Sequence, residues 1–318
     1  MSCINPITIN SKRSGKIHVA CGKCEFCLTG KRVQWTVRLK EELRGSASAF
    51  FITLTYEEDQ MPMSEHGIPE VSKNDIQLFM KKLRRADERA KEDLKKLKED
   101  SKALKEAKTK YGFEYDPFFD STLDRKLKYF LTSEYGPQTQ RPHYHMVLFN
   151  LTPVMQNKLE KYWSTFDRKT SLRISKGFVK IDPVTHGRLH YVSKYITDPQ
   201  PEIDLKRSKP FRLISKGIGQ NYIDRALEYH QKTLNDYIVQ DGYKLPIPRY
   251  LREKLFSKGE RAGLNYRKRE HQAEQYKKYL KELEKRWPGQ SGKKEIEAIE
   301  HTRLLKEQKA KHNKPTSL

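Results

Sequence analysis

Three short runs stand out from a polar background by their density of aromatic and β-branched residues: Phe50–Tyr56 (FFITLTY), Tyr129–Tyr135 (YFLTSEY) and His143–Phe149 (HYHMVLF). Such residues suit a pleated, half-buried surface, so each run predicts a strand. The turn-rich GPQTQRP between the second and third joins them as a hairpin. Between the first and second, Ser72 or Asn74 offers an N-cap, and Ile76, Phe79, Met80 and Leu83 recur at helical spacing. From there the apolar positions thin to an occasional leucine among good helix formers (KKLRRADERAKEDLKKLKEDSKALKEAKTK), which predicts a solvated helical projection. Val154–Phe166 reads as a helix, Gly177–Ile181 as a short strand and Arg188–Thr197 as another helix. The order strand, helix, strand, strand, helix, strand, helix predicts an α+β fold, the ferredoxin-like split βαβ arrangement with an antiparallel sheet.

The remaining chain has a different texture. From Pro210, PFRLISKGIGQNYI and YKLPIPRYLREKLF read as ordered turns and short helices. Arg267–Gln308 is a charged helical stretch broken at Trp287-Pro288-Gly289, and Lys309–Leu318 is expected to be disordered. These shifts divide the chain into a cysteine-containing segment (1–45), a main domain (46–200) with a charged helical insertion at about 84–118, an appended segment (201–256) and a basic tail (257–318). There is no internal repeat and no G-x-x-x-x-G-K-[ST] loop.

Charge narrows the classes of partner. The 318 residues include 64 Lys and Arg against 41 Asp and Glu, a formal net charge of +23. A chain this basic seeks a polyanion, and nucleic acid comes first because neutralising phosphates releases condensed counterions. With 33% charged residues and no run near the roughly 18 apolar residues of a membrane span, a membrane protein is not expected. The opening MSCINPITIN lacks the apolar region of a signal peptide. Cys3, Cys21, Cys24 and Cys27 all fall in the first tenth of the chain, which argues against a spread disulfide framework and for a reducing compartment. Their spacing could hold a structural zinc ion or an iron–sulfur cluster, with His18 as a substitute ligand, or the four could be plain thiols.

Two constellations carry candidate chemistry. In a strand, His143 and His145 project to one face with Val147 and Phe149, while Tyr144, Met146 and Leu148 project to the other. If the hairpin pairs Glu134 with His143, Thr132 falls opposite His145 and a carboxylate joins the two imidazoles. Such a set would accept Mg²⁺ or Mn²⁺, with zinc as an alternative. The other reading is two ordinary histidines on a half-exposed strand. The second constellation is Tyr191, Val192, Ser193, Lys194, Tyr195, where a helix puts the two tyrosines one turn apart and Lys194 beside them. It can be read as an amphipathic helix with Leu189, Val192 and Ile196 facing the sheet, or as a pair of phenolic nucleophiles with a cation.

Taken in order, FFITLTY, RPHYHMVLF and YVSKYI resemble the three motifs of the HUH superfamily of rolling-circle replication initiators. The resemblance is closer to the initiators of gokushovirus-type microviruses, whose CGxC segment, FLTLTY, GEYG and RPHYH correspond to Cys21–Cys24, Phe51–Tyr56, Ser133–Gly136 and Arg141–His145. It covers roughly residues 1–256, with Ser133 where glycine is common and an insertion after Leu83. It implies an HUH endonuclease that nicks single-stranded origin DNA by transesterification. Tyr191, Tyr195 and Lys194 would be catalytic, and His143, His145 and Glu134 would hold the divalent metal. The product would be a 5′-phosphotyrosine and a free 3′-hydroxyl, and the circle would later be rejoined. Host DNA polymerase and helicase are the implied partners, in the cytoplasm of a bacterial host. A relaxase or transposase of the same superfamily would share the chemistry. A non-enzymatic single-stranded nucleic-acid-binding protein is the reading from another class, in which the same side chains stack on bases.

Overall fold

The computed structural model describes residues 3, 6–11, 15–99, 120–136, 138–194 and 206–312. Contacts divide the chain into two compact units: Trp35–Tyr222, and Met1–Gln34 together with Ile223–Leu318. In chain order the labelled elements are β1 (Ile7–Ser11), β2 (Gly15–Val19), α1 (Glu25–Gly45), β3 (Ala49–Thr55), α2 (Lys73–Glu99), β4 (Lys128–Tyr135) and β5 (Pro142–Phe149). Then come β6 (Ser164–Phe166), β7 (Arg173–Ser175), β8 (Val179–Pro183), α3 (His186–Lys194), β9 (Arg212–Ile214) and α4 (Asn221–Thr233). The last are β10 (Tyr237–Gln240), β11 (Tyr243–Pro246), α5 (Arg249–Leu255), α6 (Lys258–Arg286) and α7 (Ser291–His312).

The first unit is built on a five-stranded sheet in the order β8-β3-β5-β4-β9, every neighbouring pair antiparallel. The expected hairpin of β4 and β5 is present, and so is the expected register, Glu134 opposite His143 and Thr132 opposite His145. Alternation along each strand then gives the sheet two apolar faces. Ile52, Leu54, Leu131, Tyr144, Met146 and Leu148 pack with Ile76, Phe79, Met80 and Leu83 of α2 and with Trp163. Phe51, Phe130, Val147 and Phe149 pack with Leu39 of α1, Leu189 and Val192 of α3, and Ile218. Ser72 caps α2 as expected, its Oγ accepting from Asp75 N at 3.2 Å.

Four expectations need correction. Val154–Phe166 is not one helix: a 3₁₀ segment (Pro153–Lys158) and one α-turn (Leu159–Tyr162) lead into β6. Pro153 starts the segment, and Trp163 then turns inward, fully buried, with its indole N–H on Thr55 O at 2.9 Å. Residues 84–99 are not wholly solvated, because Asp87, Lys91 and Leu94 are buried along α2; residues 100–119 lie outside the described part. Beyond Pro210 there are also strands, β9 at the sheet edge and the β10–β11 hairpin. Lys309–His312 continue α7, while 313–318 lie outside the described residues. The break at Trp287–Gly289 falls as expected, between α6 and α7.

The other unit contains the β1–β2 hairpin, the first part of α1, β10, β11, α5, α6 and α7. Its buried positions include Ile238, Ile247, Leu251, Leu255, Phe256 and Leu264, whereas most of α6 and nearly all of α7 are exposed. Among the described residues, no helix is long and apolar enough to cross a membrane.

Candidate active site

Three antiparallel strands set side chains in rows across one sheet face. Thr55, His143 and Glu134 form the first row, Thr53, His145 and Thr132 the second, and Phe51, Val147 and Phe130 the third. The third row is covered by helices, and the first two make a polar end to an otherwise apolar face. Across the rows, His145 Nε2 meets Glu134 Oε1 at 2.6 Å, the diagonal contact that a sheet allows between long side chains. Both residues are buried, 8% exposed each.

Each imidazole is oriented through its other nitrogen. His143 Nδ1 lies 2.7 Å from Arg141 O. A carbonyl only accepts, so Nδ1 carries the proton and Nε2 is the lone-pair nitrogen of the neutral ring. His145 Nδ1 lies 3.1 Å from Thr53 Oγ1. The rings are nearly parallel, 8° apart with centroids separated by 6.5 Å. Gly136 provides space for the first: a Cβ there would stand 3.0 Å from His143 Cε1. Thr132 Oγ1, on the same face, is buried without a hydrogen-bond partner among the described residues.

Tyr191 reaches this end of the sheet from α3. Leu189 and Val192 anchor the helix in the apolar row, as expected, and Ser193 Oγ lies 2.9 Å from Thr36 Oγ1 of α1. That packing leaves Tyr191 38% exposed with its hydroxyl donating to Glu134 Oε1 at 3.4 Å. Its ring stands edge-on to His145, with centroids 5.3 Å apart at 84°, and against Phe51 at 6.4 Å. Tyr56 and Tyr144 differ sharply: they face the opposite core, and burial pushes both phenols above the ordinary tyrosine range. Tyr195 and the side chain of Lys194 lie outside the described residues.

The structure therefore brings together His143, His145, Glu134 and Tyr191, and it adds residues that no motif singled out. Thr53 and the Arg141 carbonyl orient the imidazoles. Phe51 stacks on His145, with centroids 5.8 Å apart, and lies under the Arg188 guanidinium, which also pairs with Asp182 at 3.1 Å. Thr53 and Phe51 lie on the His145 face by simple alternation, but only the β3–β5 register reveals it.

The cysteines form a separate cluster in the other unit, their four Sγ atoms within 4.8 Å of one another. Backbone N–H groups of Lys23 and Cys24 hold the Cys21 thiol below its ordinary range, whereas burial pushes Cys27 up to about 12.

Residues 49–200, from the first residue of β3 to beyond α3, match the family of the phage replication-associated protein ORF2. That segment belongs to the family. Over 277 residues the chain is 26% identical to the replication-associated protein ORF2 of Spiroplasma virus 4, covering 83% of this chain and 72% of that protein. It is 24% identical over 249 residues to the replication-associated protein ORF4 of Chlamydia phage 1, covering 74% of this chain and 53% of that protein. Against the replication-associated protein VP4 of Bdellovibrio phage phiMH2K the identity is 25% over 280 residues, covering 80% and 76%. The likeness to gokushovirus-type replication proteins, read from the short motifs, is thus borne out over most of the chain. No solved structure matches the chain.

Proposed function

We propose that this protein initiates phage DNA replication by nicking single-stranded origin DNA, with Tyr191 as a nucleophile and His143, His145 and Glu134 as the holders of a divalent ion. The observation that carries the reading is the chain of contacts Tyr191–Glu134–His145, a partly exposed phenol within 3.4 Å of a carboxylate that is itself bonded to an oriented imidazole. The family match and the phage relatives support a role in replication. The strand order β8-β3-β5-β4, with α2 crossing from β3 to β4, supports the ferredoxin-like split βαβ fold of HUH endonucleases.

The donor set suits an ion. Two imidazoles with Nδ1 turned away and a carboxylate are ligands that Mg²⁺ or Mn²⁺ accepts while retaining positions for phosphate oxygens. Ligand atoms about 2.1 Å from one octahedral ion stand about 3 Å apart, so the 2.6 Å Nε2–Oε1 contact would open by a few tenths of an ångström and Nε2 would yield its proton. Thr132 Oγ1, buried and unpartnered beside them among the described residues, fits a site that takes a further polar group. When bound, the ion would supply Lewis-acid polarisation of the scissile phosphodiester.

The rest of the chemistry falls to the chain. Tyr191 Oη attacks phosphorus, an Oη–P bond forms as the P–O3′ bond breaks, and the departing 3′-oxygen takes up one proton for the one the phenol gives up. One phosphodiester replaces another, so no nucleotide cofactor is needed. The 3′-hydroxyl is left for a host polymerase, with a host helicase opening the duplex ahead. Phe51 and His145 pack against the Tyr191 ring and limit its freedom, which holds the oxygen near the reacting centre. Tyr195, one helical turn on, would attack the regenerated origin after one round, and Lys194 would offset charge on the phosphate.

The test is incubation of the full chain with single-stranded origin DNA and Mn²⁺ or Mg²⁺, scored as covalent adduct on denaturing gels. Wild type should form an adduct that a chelator prevents. Tyr191→Phe with Tyr195→Phe should abolish it, at least about a thousandfold below wild type by the scale of lost nucleophiles. DNA binding with no adduct in wild type would favour the non-enzymatic reading.

A further inference from the structure

The four cysteines take no part in that chemistry, yet their geometry is specific. Gly22 adopts a left-handed conformation (φ +74°), which turns the backbone so that Cys24 N–H points at Cys21 Sγ, 3.3 Å away. Lys31 Nζ donates to Gly22 O at 2.8 Å and fixes the same loop. Cys21 N–H points at Cys3 Sγ, also at 3.3 Å, across the base of the β1–β2 hairpin. Cys27 comes from the first turn of α1. The sulfurs stand 3.5 Å apart for Cys24–Cys27, 3.8 Å for Cys24–Cys3 and 4.0 Å for Cys21–Cys27.

These separations discriminate between chemistries. A disulfide needs sulfurs about 2.05 Å apart, so the cluster is not two bridges. A tetrahedron with metal–sulfur bonds of about 2.3 Å has edges of about 3.8 Å, the middle of the range found here. An iron–sulfur cluster spreads its cysteines over separate irons and needs a wider set. We propose that Cys3, Cys21, Cys24 and Cys27 bind one zinc ion as a tetrathiolate, and that the ion fastens the β1–β2 hairpin to the start of α1.

The hairpin has reason to need a fastening. Ile7 and Ile9 are 52% and 44% exposed, and no residue of either strand is buried. An isolated two-stranded ribbon is marginal in water, so a metal replaces the core it lacks. Four thiol protons leave as four Zn–S bonds form. The site is also distinct in kind from the imidazole–carboxylate set, since soft thiolates select zinc where Mg²⁺ and Mn²⁺ prefer oxygen.

The experiment is metal analysis and thiol titration of the full chain purified under reducing conditions. One zinc per chain is expected, with the four thiols unreactive toward a disulfide reagent until a zinc chelator is added. Replacement by Co²⁺ should give thiolate-to-cobalt charge-transfer absorption and tetrahedral ligand-field bands. Cys24→Ser with Cys27→Ser should lose the zinc, while His143→Ala should retain it. Stoichiometric iron, four freely reactive thiols in the untreated chain, or zinc that persists in the double serine variant would each overturn the proposal. Should the double variant prove insoluble, the thiol titration and the cobalt spectrum of the wild-type chain decide the matter.

Discussion

His145 is held between two oxygens, Thr53 Oγ1 on Nδ1 and Glu134 Oε1 on Nε2, and the two contacts do different work. Removing the threonine hydroxyl leaves shape nearly intact but strands a buried ring nitrogen. Thr53→Val should therefore cost about 1–3 kcal/mol of stability, and on the proposed reading it should raise the Mn²⁺ concentration for half-maximal adduct formation by about 10–100-fold. A Mn²⁺ titration of adduct yield checks this, and an unchanged midpoint would mean that Thr53 does not position the imidazole. Gly136→Ala tests the neighbouring ring by crowding His143, and it should shift the same midpoint with little effect on DNA affinity. At this scale the sequence is informative where spacing alone suffices. His-x-His in an alternating strand puts two imidazoles on one face, and the turn-rich GPQTQRP brings Glu134 beside them. Thr53 carries no such local mark, because its role depends on a pairing between strands separated by almost ninety residues.

Among the elements, the strands and α2 are legible because their apolar residues keep one period, and α1 is not because its buried residues keep none. Val37 and Leu39 are buried in α1, but so are Glu41 and Glu42. Glu42 is accommodated by an ion pair with Lys128 at 2.8 Å and by the Gly219 N–H at 2.7 Å, partners far along the chain that no window of sequence contains. The charged continuation of α2 misleads for the same reason. Lys91 pairs with Asp87 at 2.7 Å and donates to the carbonyls of Arg125 and Asn150, while Asp87 accepts from Thr152 N at 2.8 Å. This network ties α2 to the chain leaving β5. Lys91→Met leaves Asp87 charged, buried and short of a partner, and should cost about 3–5 kcal/mol in urea denaturation; a loss below about 1 kcal/mol would show the pair to be exposed in solution. Gly177 gives a second check on the sheet edge. Its φ is +143°, and a Cβ there would stand 2.4 Å from Thr55 O. Gly177→Ala should destabilise the sheet by more than about 2 kcal/mol, on the order expected for backbone strain with a clash.

For the whole molecule, the net charge of +23 is unevenly distributed. Residues 252–318 carry 19 basic and 10 acidic side chains, and most of the two long helices there is exposed, with Tyr266, Tyr276 and Tyr279 among the exposed aromatics. The polar His–Glu–Tyr end of the sheet, in contrast, contributes little net charge. Composition could announce a polyanion partner but not the chemistry, since long-range attraction to phosphate is a sum over many lysines and arginines whereas bond cleavage needs a few groups in register. The two should separate experimentally. Leu264 is buried and Asn265 accepts from Arg252 at 3.0 Å, so a chain ending after Arg269 keeps the packed start of α6 and loses only exposed helix. Measured across a salt series, that truncation should bind single-stranded DNA more weakly and with a flatter dependence of log K on log salt, by about 0.7 for each phosphate no longer neutralised. At saturating DNA its adduct rate should stay within about twofold of wild type, because the barrier depends on the reacting groups, which remain. Equal salt slopes in the two proteins would place the electrostatic grip elsewhere, in the basic residues of the sheet-containing unit.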